Sequence, residues 1–146
     1  MRKVIVCNIS SLDGYFAGVG GNPLVLNMDA ALDALNLEHM RSAGTVLLGR
    51  ASFELFRSFW PNVADAPEDP ANPGLSETNR VLSRLYGEIP KLVVGDSCVL
   101  PVDNAWHDSS RVIPGSEIDR LLRIEKAGVG GDIVVFASHL LWNVLL

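Results

Sequence analysis

The chain has 146 residues, of which 48% are hydrophobic and 20% charged, and its formal net charge at pH 7 is −5. A chain of this length and composition buries a sizeable core, so we assign residues 1–146 to a single domain. The negative charge argues against a nucleic-acid partner, which would need clustered lysine and arginine, but it does not exclude a small anionic ligand in a local positive pocket.

The sequence carries no sign of secretion or of a membrane partner. The basic start "MRKVIVCNISS" has an apolar run too short for a signal peptide, and no run approaches the ~20 apolar residues of a membrane span. Cys7 and Cys98 both lie in apolar runs, so we expect a pair of buried thiols rather than a disulfide. A cytoplasmic location is the resulting prediction.

Short β-rich runs alternate with helical patterns in the first half of the chain, which is typical of α/β proteins. "KVIVCNIS" predicts a first strand buried on both faces, and "SLDGYFAGVGGNP" predicts a glycine-rich loop after it. Asp29 is the predicted cap of a helix that runs to about Met40. "GTVLLG" predicts a second buried strand, and "RASFELFRSFW" predicts the helix that follows. Residues 61–74, with four prolines, predict a surface loop.

The same alternation continues in the second half. Ser76 is the predicted cap of a helix that Gly87 and Pro90 end, and "KLVVGD" predicts the third strand. "RVI" predicts a short fourth strand, and "PGSEIDRLLRIEKAG" predicts a helix opened by a Ser116–Asp119 capping pair. "GVGGDIVVF" predicts the last strand, which passes through a short turn into an apolar helix at the end of the sequence.

Three turns that follow predicted strands carry residues suited to ligand binding. In "LLGRASF", Gly49 lets a ligand approach the backbone and Arg50 adds a bidentate donor at a helix start; the alternative is a glycine turn with a solvated arginine. Asp13-Gly14 is a common turn pair, but a carboxylate at a strand end would orient an amide or relay a proton. In "VGDS", Asp96 would repel a phosphate yet accept hydrogen bonds from ribose hydroxyls.

Other kinds of site are not indicated. His39, His107 and His139 lie far apart in the sequence without metal-binding spacing, so we predict no metal site. The sequence lacks a G-x-S-x-G motif and a Cys/His pairing, which argues against nucleophilic catalysis. The G-x-G-x-x-G fingerprint is also absent after the first strand, which disfavours a Rossmann domain.

The segments "VCNISSLDGYFAG", "VLLGRASFELFRSFWP", "IPKLVVGDS", "RVIPG" and "GGDIVVFASHLL", taken in this order, resemble the dihydrofolate-reductase-like family. "SLDG" and "LLGRASFE" at this separation are the specific parts. The chain is most similar to the reductase (C-terminal) domain of the riboflavin-biosynthesis deaminase-reductase, in its small stand-alone form. The resemblance implies a three-layer α/β fold around a mixed, mostly parallel central sheet, with the family's C-terminal strands missing from this sequence.

The resemblance also implies an oxidoreductase that transfers a hydride from NADPH, or from NADH, to a small-molecule substrate. The substrate would be pterin-like or another heterocyclic or carbonyl compound, such as the aminouracil intermediate of riboflavin biosynthesis. The residues implied at the cofactor phosphates are Gly49, Arg50, Ala51 and Ser52. Those implied by the adenosine ribose are Gly95, Asp96 and Ser97. Those implied in the pyrophosphate turn are Ala137, Ser138, His139 and Leu140.

The remaining residues that the resemblance implies lie on the nicotinamide and substrate side. They are Ser11, Leu12, Gly14 and the catalytic candidate Asp13, with Trp60 and Pro61 flanking the substrate mouth. Two positions depart from the family pattern: Gly95-Asp96 stands where NADPH-binding members usually have serine or threonine followed by arginine, and Ala137 stands where they usually have glycine. The missing strands would leave an edge for a partner, so we expect a homodimer. The alternative is a non-enzymatic or degenerate dimeric module on the same fold.

Overall fold

In the computed structural model, which describes residues 1–145, five strands form one sheet flanked by five α-helices. The strands are β1 (Val4–Cys7), β2 (Ala43–Gly49), β3 (Lys91–Val94), β4 (Ser110–Ile113) and β5 (Asp132–Phe136). The helices are α1 (Ala30–Ser42), α2 (Arg50–Phe59), α3 (Glu77–Glu88), α4 (Ile118–Ala127) and α5 (His139–Leu145). The predicted continuation of the last helix through Leu146 lies outside the described residues.

The strand order across the sheet is β1-β5-β2-β3-β4. All four strand pairings are parallel, so no antiparallel pairing of the expected mixed sheet lies within residues 1–145. β5 is the last strand in sequence but lies between β1 and β2, because the chain crosses back over the sheet through α4. The predicted α/β architecture is therefore confirmed, with β5 and β2 at the centre of the sheet.

Alternating residues of the central strands bury both faces of the sheet. Val46, Leu48 and Val134 pack against α1, α2 and α3, whereas Leu47 and Val135 pack against α4 and α5. All five side chains are fully buried, as expected for parallel strands covered by helices on both faces. The result is the three-layer arrangement that the resemblance implied.

Two of the three predicted helix caps are confirmed. Asp29 accepts hydrogen bonds from two N–H groups in the first turn of α1, both at 3.1 Å, and Ser76 accepts one in the first turn of α3 at 3.3 Å. The predicted Ser116–Asp119 capping pair is wrong. Residues Gly115–Glu117 form a 3₁₀ turn that leads directly into α4, and no side chain caps that helix. Because the chain is already helical there, Ser116 is not at an N-cap position.

The prediction that the first strand is buried on both faces is wrong. β1 pairs only with β5 among the described strands and therefore lies at the edge of the sheet. Val6 is 38% exposed, whereas Cys7 is buried. A run of apolar residues predicts a strand, but it does not distinguish an edge strand from a central one.

The two cysteines are free thiols. Cys7 is buried, and its Sγ lies 3.2 Å from Oδ1 of Asn36. Cys98 is half-buried, and burial raises the pKa of both thiols. Across residues 1–145, none of the helices has both the length and the apolar character that crossing a membrane requires.

The proline-rich segment 61–74 is a loop, as predicted, and one side chain holds it in place. The guanidinium of Arg80, in α3, donates hydrogen bonds of 2.7–3.3 Å to the carbonyls of Val63, Ala64, Ala66, Pro67 and Leu75. Those carbonyls take the place of an acidic partner, because Arg80 forms no ion pair among the described residues. The loop is thus fixed to α3 through its main chain.

Candidate functional site

The turns that stand out in the sequence lie along one edge of the sheet. Because the five described strands are parallel, their carboxyl ends share that edge. Residues 11–14 follow β1, residues 49–52 end β2 and begin α2, residues 95–97 follow β3, and residues 137–140 follow β5. Ligands of open α/β sheets bind outside the carboxyl ends of strands. The fold therefore places all four segments where such a ligand would bind.

The chain leaves neighbouring strands β2 and β5 in opposite directions. After β2 it enters α2, whose Phe53 is buried on the face covered by α1 and α3. After β5 it enters α5, whose Leu141 is buried on the face covered by α4. Adjacent strands whose helices lie on opposite faces form a topological switch point, where a crevice opens between the two helix starts.

A cleft of about 370 Å³ lies at this switch point, and we call it the main cleft. Its volume is within the range of small-molecule sites. Residues that line it are Gly49, Arg50, Ala51, Ser52, Val94, Gly115, Ile118, Ser138, His139, Leu140, Leu141 and Val144. Seven of the eight residues implied at the cofactor phosphates and the pyrophosphate turn are therefore brought together here, and Ala137 lies next to them in the chain.

Ser138 joins the two turns that form the main cleft. Its hydroxyl oxygen accepts a hydrogen bond of 3.0 Å from the backbone N–H of Gly49, and its own N–H donates one of 3.0 Å to Oγ of Ser52. Ser138 is only 8% exposed, which protects both bonds from water. The two turns therefore form one rigid unit, although they are far apart in the sequence.

The turn after β5 has a strained backbone. Ala137 and Ser138 have φ angles of +49° and +56°, in the left-handed region that favours glycine. Each such residue costs roughly 1–2 kcal/mol relative to an ordinary conformation. Backbone strain of this kind is concentrated at functional sites, where the surrounding structure holds it in place.

The polar groups at the main cleft are mostly hydrogen-bond donors. Gly49 is the N-cap of α2 and has no side chain to accept from the first-turn N–H groups, so those of Arg50, Ala51 and Ser52 are left without a helical partner. Arg50 forms no ion pair within residues 1–145. The hydroxyls of Ser52 and Ser138 accept backbone N–H groups and keep their own protons free to donate. Such a set of donors suits an anion.

The turn after β3 contacts two residues of the main cleft, Arg50 and Gly115. Gly95 lies against Arg50, because an added Cβ at Gly95 would be 3.0 Å from the Arg50 Cβ. Asp96 accepts a hydrogen bond of 3.0 Å at Oδ1 from the N–H of Gly115, a cleft residue. Ser97 is exposed and does not line the cleft. Of the three residues implied by the ribose, Gly95 and Asp96 are thus adjacent to the cleft.

Cys98 lies beside Arg50 but adds no negative charge there. Burial and the Glu54 carboxylate raise the pKa of the Cys98 thiol, although Arg50 and Arg57 act in the opposite direction. The thiol therefore stays protonated near neutral pH. The charge of Arg50 remains available to a ligand.

A second cleft, of about 330 Å³, lies between the end of β1 and α5. The residues lining it are Val6, Asn8, Ser10, Gly14, Phe16 and Trp142. His139, which lines the main cleft, stacks on Phe16 with ring centroids 4.1 Å apart and an interplanar angle of 25°. This stacked pair separates the two clefts, so they are neighbours along the same edge of the sheet.

The catalytic candidate Asp13 lies on an exposed turn beside the second cleft. Its Oδ1 accepts a hydrogen bond of 2.5 Å from the Ser11 hydroxyl, and Gly14 has a φ of +87° that closes the turn. Leu12 is fully exposed at the tip. Of these four residues only Gly14 lines the second cleft, and Asp13 lines neither. Its catalytic role stays a prediction.

Trp60 and Pro61 lie away from both clefts. Trp60 follows α2 and packs on the opposite face of the sheet from α5, with its ring centroid 5.0 Å from that of Tyr86 and 5.2 Å from that of Phe59. An aromatic cluster in the core accounts for this position. A place for these two residues at the substrate mouth also stays a prediction.

Several cleft residues were not among the sequence candidates. Gly115 and Ile118 line the main cleft, and Asn8, Ser10 and Phe16 line the second. Gly115 follows the predicted strand "RVI", so the rule that found Gly49 could also have found it. The second-cleft residues carry no motif. Only the placement of β1 beside β5 reveals them.

No family model matches the chain, and no curated protein matches it. Among solved structures, it is similar to a crystal structure described as "Putative riboflavin biosynthesis protein" from Shewanella sp. PV-4, with a TM-score of 0.49 and 19% sequence identity. The similarity covers 94% of this chain and 64% of that one, so the chain spans less than two thirds of the other's length. A similarity of this degree does not extend to function.

Proposed function

We propose that the chain is a reductase that binds a reduced nicotinamide dinucleotide along the carboxyl edge of its sheet and reduces a small heterocyclic or carbonyl compound. The observation that carries the proposal is the pair of turns joined through Ser138 at the switch point between β2 and β5. A helix start, an arginine and two serine hydroxyls converge there on one cleft. Such an arrangement suits a dinucleotide diphosphate.

The residues present fit such a ligand. The donors of Arg50, Ser52 and the first turn of α2 suit phosphate oxygens, and the apolar side chains of Ile118 and Leu141 suit the flat face of a base. Gly49 supports close approach of a ligand, since nothing inside the protein requires glycine there. Its φ is −73°, and an added Cβ would meet its nearest neighbours at an ordinary 3.8 Å.

The chain would contribute binding, orientation and exclusion of water. A bound nicotinamide would supply the hydride, and the residues of the two clefts would hold its ring against the substrate. The second cleft, lined by Phe16 and Trp142, is the proposed place for these two flat rings, because it adjoins the main cleft across His139. Asp13, on the adjoining turn, is proposed either to orient the carboxamide or to relay a proton to the substrate.

The binding step is tested by titrating the protein into NADH and NADPH, following the fluorescence of the reduced nicotinamide and, separately, the heat of binding. We expect saturable binding of at least one of them, and Arg50→Ala should weaken it about tenfold to a hundredfold. Arg84→Ala is the matched control, since Arg84 is an exposed arginine of α3 away from both clefts. Absence of saturable binding up to about 1 mM would refute the proposal.

The hydride step has a separate test. The protein is incubated with dinucleotide deuterated at C4 of the nicotinamide and with a set of pterins, aminopyrimidines and simple carbonyl compounds. We expect deuterium to appear in one reduced product, with loss of the reduced-nicotinamide absorbance. Binding without transfer to any compound of the set would favour the second candidate, described next.

A non-enzymatic binding module on the same fold is the second candidate. It is favoured by one observation: the N–H groups of Gly49 and Ser138 are already bonded within the protein and are not free to bind a diphosphate. Such a module would still gain stability from its ligand, by about 2.7 kcal/mol at a hundred times the dissociation constant. A thermal shift with NADH or NADPH but no turnover would identify it.

A further inference from the structure

Asp96 is an acidic residue held at the edge of a cleft that is otherwise rich in donors. Its Oδ1 accepts the N–H of Gly115 at 3.0 Å, and an added Cβ at Gly115 would be 3.8 Å from Oδ2. Oδ2 has no hydrogen-bond partner among the described residues, and Asp96 forms no ion pair there. One carboxylate oxygen is therefore fixed and the other is free to accept from a ligand.

Asp96 and Arg50 suit two different groups of a ligand. The carboxylate of Asp96 suits hydroxyl donors, and the guanidinium of Arg50 suits phosphate. Arg50 lies against Gly95, the residue before Asp96, and opens α2 beside the donors that suit a diphosphate. Among the described residues that line the main cleft, Arg50 is the one arginine or lysine. The described lining of the main cleft therefore supplies no second arginine or lysine for a further phosphate.

We infer that Asp96 selects the dinucleotide without a 2′-phosphate, so that the main cleft takes NADH in preference to NADPH; this inference rests on the proposed function. A carboxylate accepts hydrogen bonds from the two neighbouring hydroxyls of a ribose. A phosphate on the 2′-oxygen removes one of these donors and brings about two negative charges close to the carboxylate. The 2′-oxygen of the ribose would therefore be attracted to Asp96 as a hydroxyl and repelled from it as a phosphate.

The test compares NADH and NADPH, which carry the same fluorescent ring, in one binding assay with the wild type and Asp96→Asn. The wild type should bind NADH at least about tenfold more tightly than NADPH. Asp96→Asn keeps an oxygen to accept the Gly115 N–H but loses the charge, so the preference should fall below about threefold, mainly through tighter NADPH binding. Asp103→Asn is the matched control, since it removes one charge from another exposed loop.

The outcomes separate the inference from the proposed function. Equal affinities in the wild type, tighter binding of NADPH, or a preference unchanged in Asp96→Asn would overturn the role of Asp96 and leave the proposed function standing. Failure of both dinucleotides to bind the wild type would overturn both. Competition by 5′-AMP and by 2′,5′-ADP, which differ only in the 2′-phosphate, gives a second readout, in which wild-type protein should prefer 5′-AMP and Asp96→Asn should not.

Discussion

The hydroxyl of Ser138 accepts a hydrogen bond of 3.0 Å from the N–H of Gly49, a residue 89 positions earlier in the chain. This contact fixes the end of β2 against the start of α5 and so determines the width of the main cleft. Ser138→Ala removes the acceptor and leaves the partly buried N–H of Gly49 without a partner. We expect a loss of about 1–3 kcal/mol in the free energy of unfolding by urea denaturation. Ser97→Ala, in an exposed turn, should change it by less than about 0.5 kcal/mol; equal effects would contradict this role of Ser138.

Ala137→Gly should stabilise the protein. Its φ of +49° is costly for alanine and not for glycine, so the substitution recovers about 1 kcal/mol or more of strain. Greater freedom of the unfolded chain offsets part of this, about 0.4–1 kcal/mol. We expect a net gain of roughly 0.5 kcal/mol in thermal or urea unfolding. Ala31→Gly, in the first turn of α1, should have the opposite sign, because glycine is a poor helix former. A loss of stability in both variants would argue against strain at Ala137.

Gly49→Ala should separate ligand binding from folding. A methyl group fits at Gly49 inside the protein, and the backbone angles suit alanine, so the free energy of unfolding should change by less than about 1 kcal/mol. The same methyl group would project where the proposed ligand meets the backbone. We expect dinucleotide affinity to fall at least about tenfold, measured by the titration described above. Gly87→Ala, in α3 and free of close neighbours, should leave affinity unchanged. Undiminished affinity in Gly49→Ala would place the ligand elsewhere.

Lys91 should make stability rise with pH in the alkaline range. Its ammonium is buried, bonded to Ile89 O and Ser109 Oγ and 4.7 Å from the Trp106 ring centre, and burial lowers the pKa of Lys91 to about 8. Because an unfolded lysine titrates near 10.4, the unfolded chain binds more protons than the folded chain between about pH 8 and 10.4. Stability at this position therefore increases across that window, by up to about 3 kcal/mol.

The variant Lys91→Met isolates this effect, since the other titrating groups remain in both proteins. The free energy of unfolding is measured in urea at about pH 7, 8.5 and 10 for each protein. The difference between the two should move in favour of the wild type as pH rises. A difference that stays constant would show that Lys91 titrates as it does in water.

Arg80→Ala should release the loop at residues 61–75. Five carbonyls lose a charged donor, so we expect a loss of at least about 2 kcal/mol and faster cleavage of the loop by a broad-specificity protease. Arg80→Lys should recover only part of this, because an ammonium has three protons in place of the flat five-proton fork. Arg84→Ala, one turn further along α3, is the control. Equal protease sensitivity in the Arg80 and Arg84 alanine variants would contradict the role of Arg80 in holding the loop.

Local rules predict much of this fold because many of its signals lie within a few residues of each other. Asp29 and Ser76 cap helices whose first turns follow them directly, and the short β-branched runs around Val46 and Val134 are strands, as predicted. Two predictions, the burial of β1 on both faces and the cap at Ser116, were wrong. Whether β1 lies at the sheet edge depends on strands far away in the sequence. Ser116 is not an N-cap because it lies inside the 3₁₀ turn Gly115–Glu117.

Some features of the candidate site could likewise be predicted from the sequence, and others could not. Gly49 and Arg50 could be singled out because they follow a predicted strand, whereas "ASHL" was implied by the resemblance. The parallel pairing of β2 and β5 brings the two segments together. The bonds that join them through Ser138 could not be anticipated, since they depend on the exact distance between two turns whose bonded residues are 86 and 89 positions apart in the chain. The packing of Trp60 against Phe59 and Tyr86 could not be predicted from the sequence either, and its place at a substrate mouth stays a prediction.

The hydrogen bonds from Arg80 to the loop carbonyls have a consequence for which mutations of the loop the protein tolerates. Arg80 binds main-chain carbonyls, which every amino acid possesses, so its hydrogen bonds do not depend directly on which side chains the loop carries. Exposed positions of the loop, such as Asp65, can therefore be replaced, for example to carry a label, without loosening its attachment, whereas Val63 is buried and must stay apolar. An inserted residue is a different matter, because it shifts the carbonyls past the guanidinium. The exposed positions of this loop therefore tolerate substitution, but the loop does not tolerate a change in length.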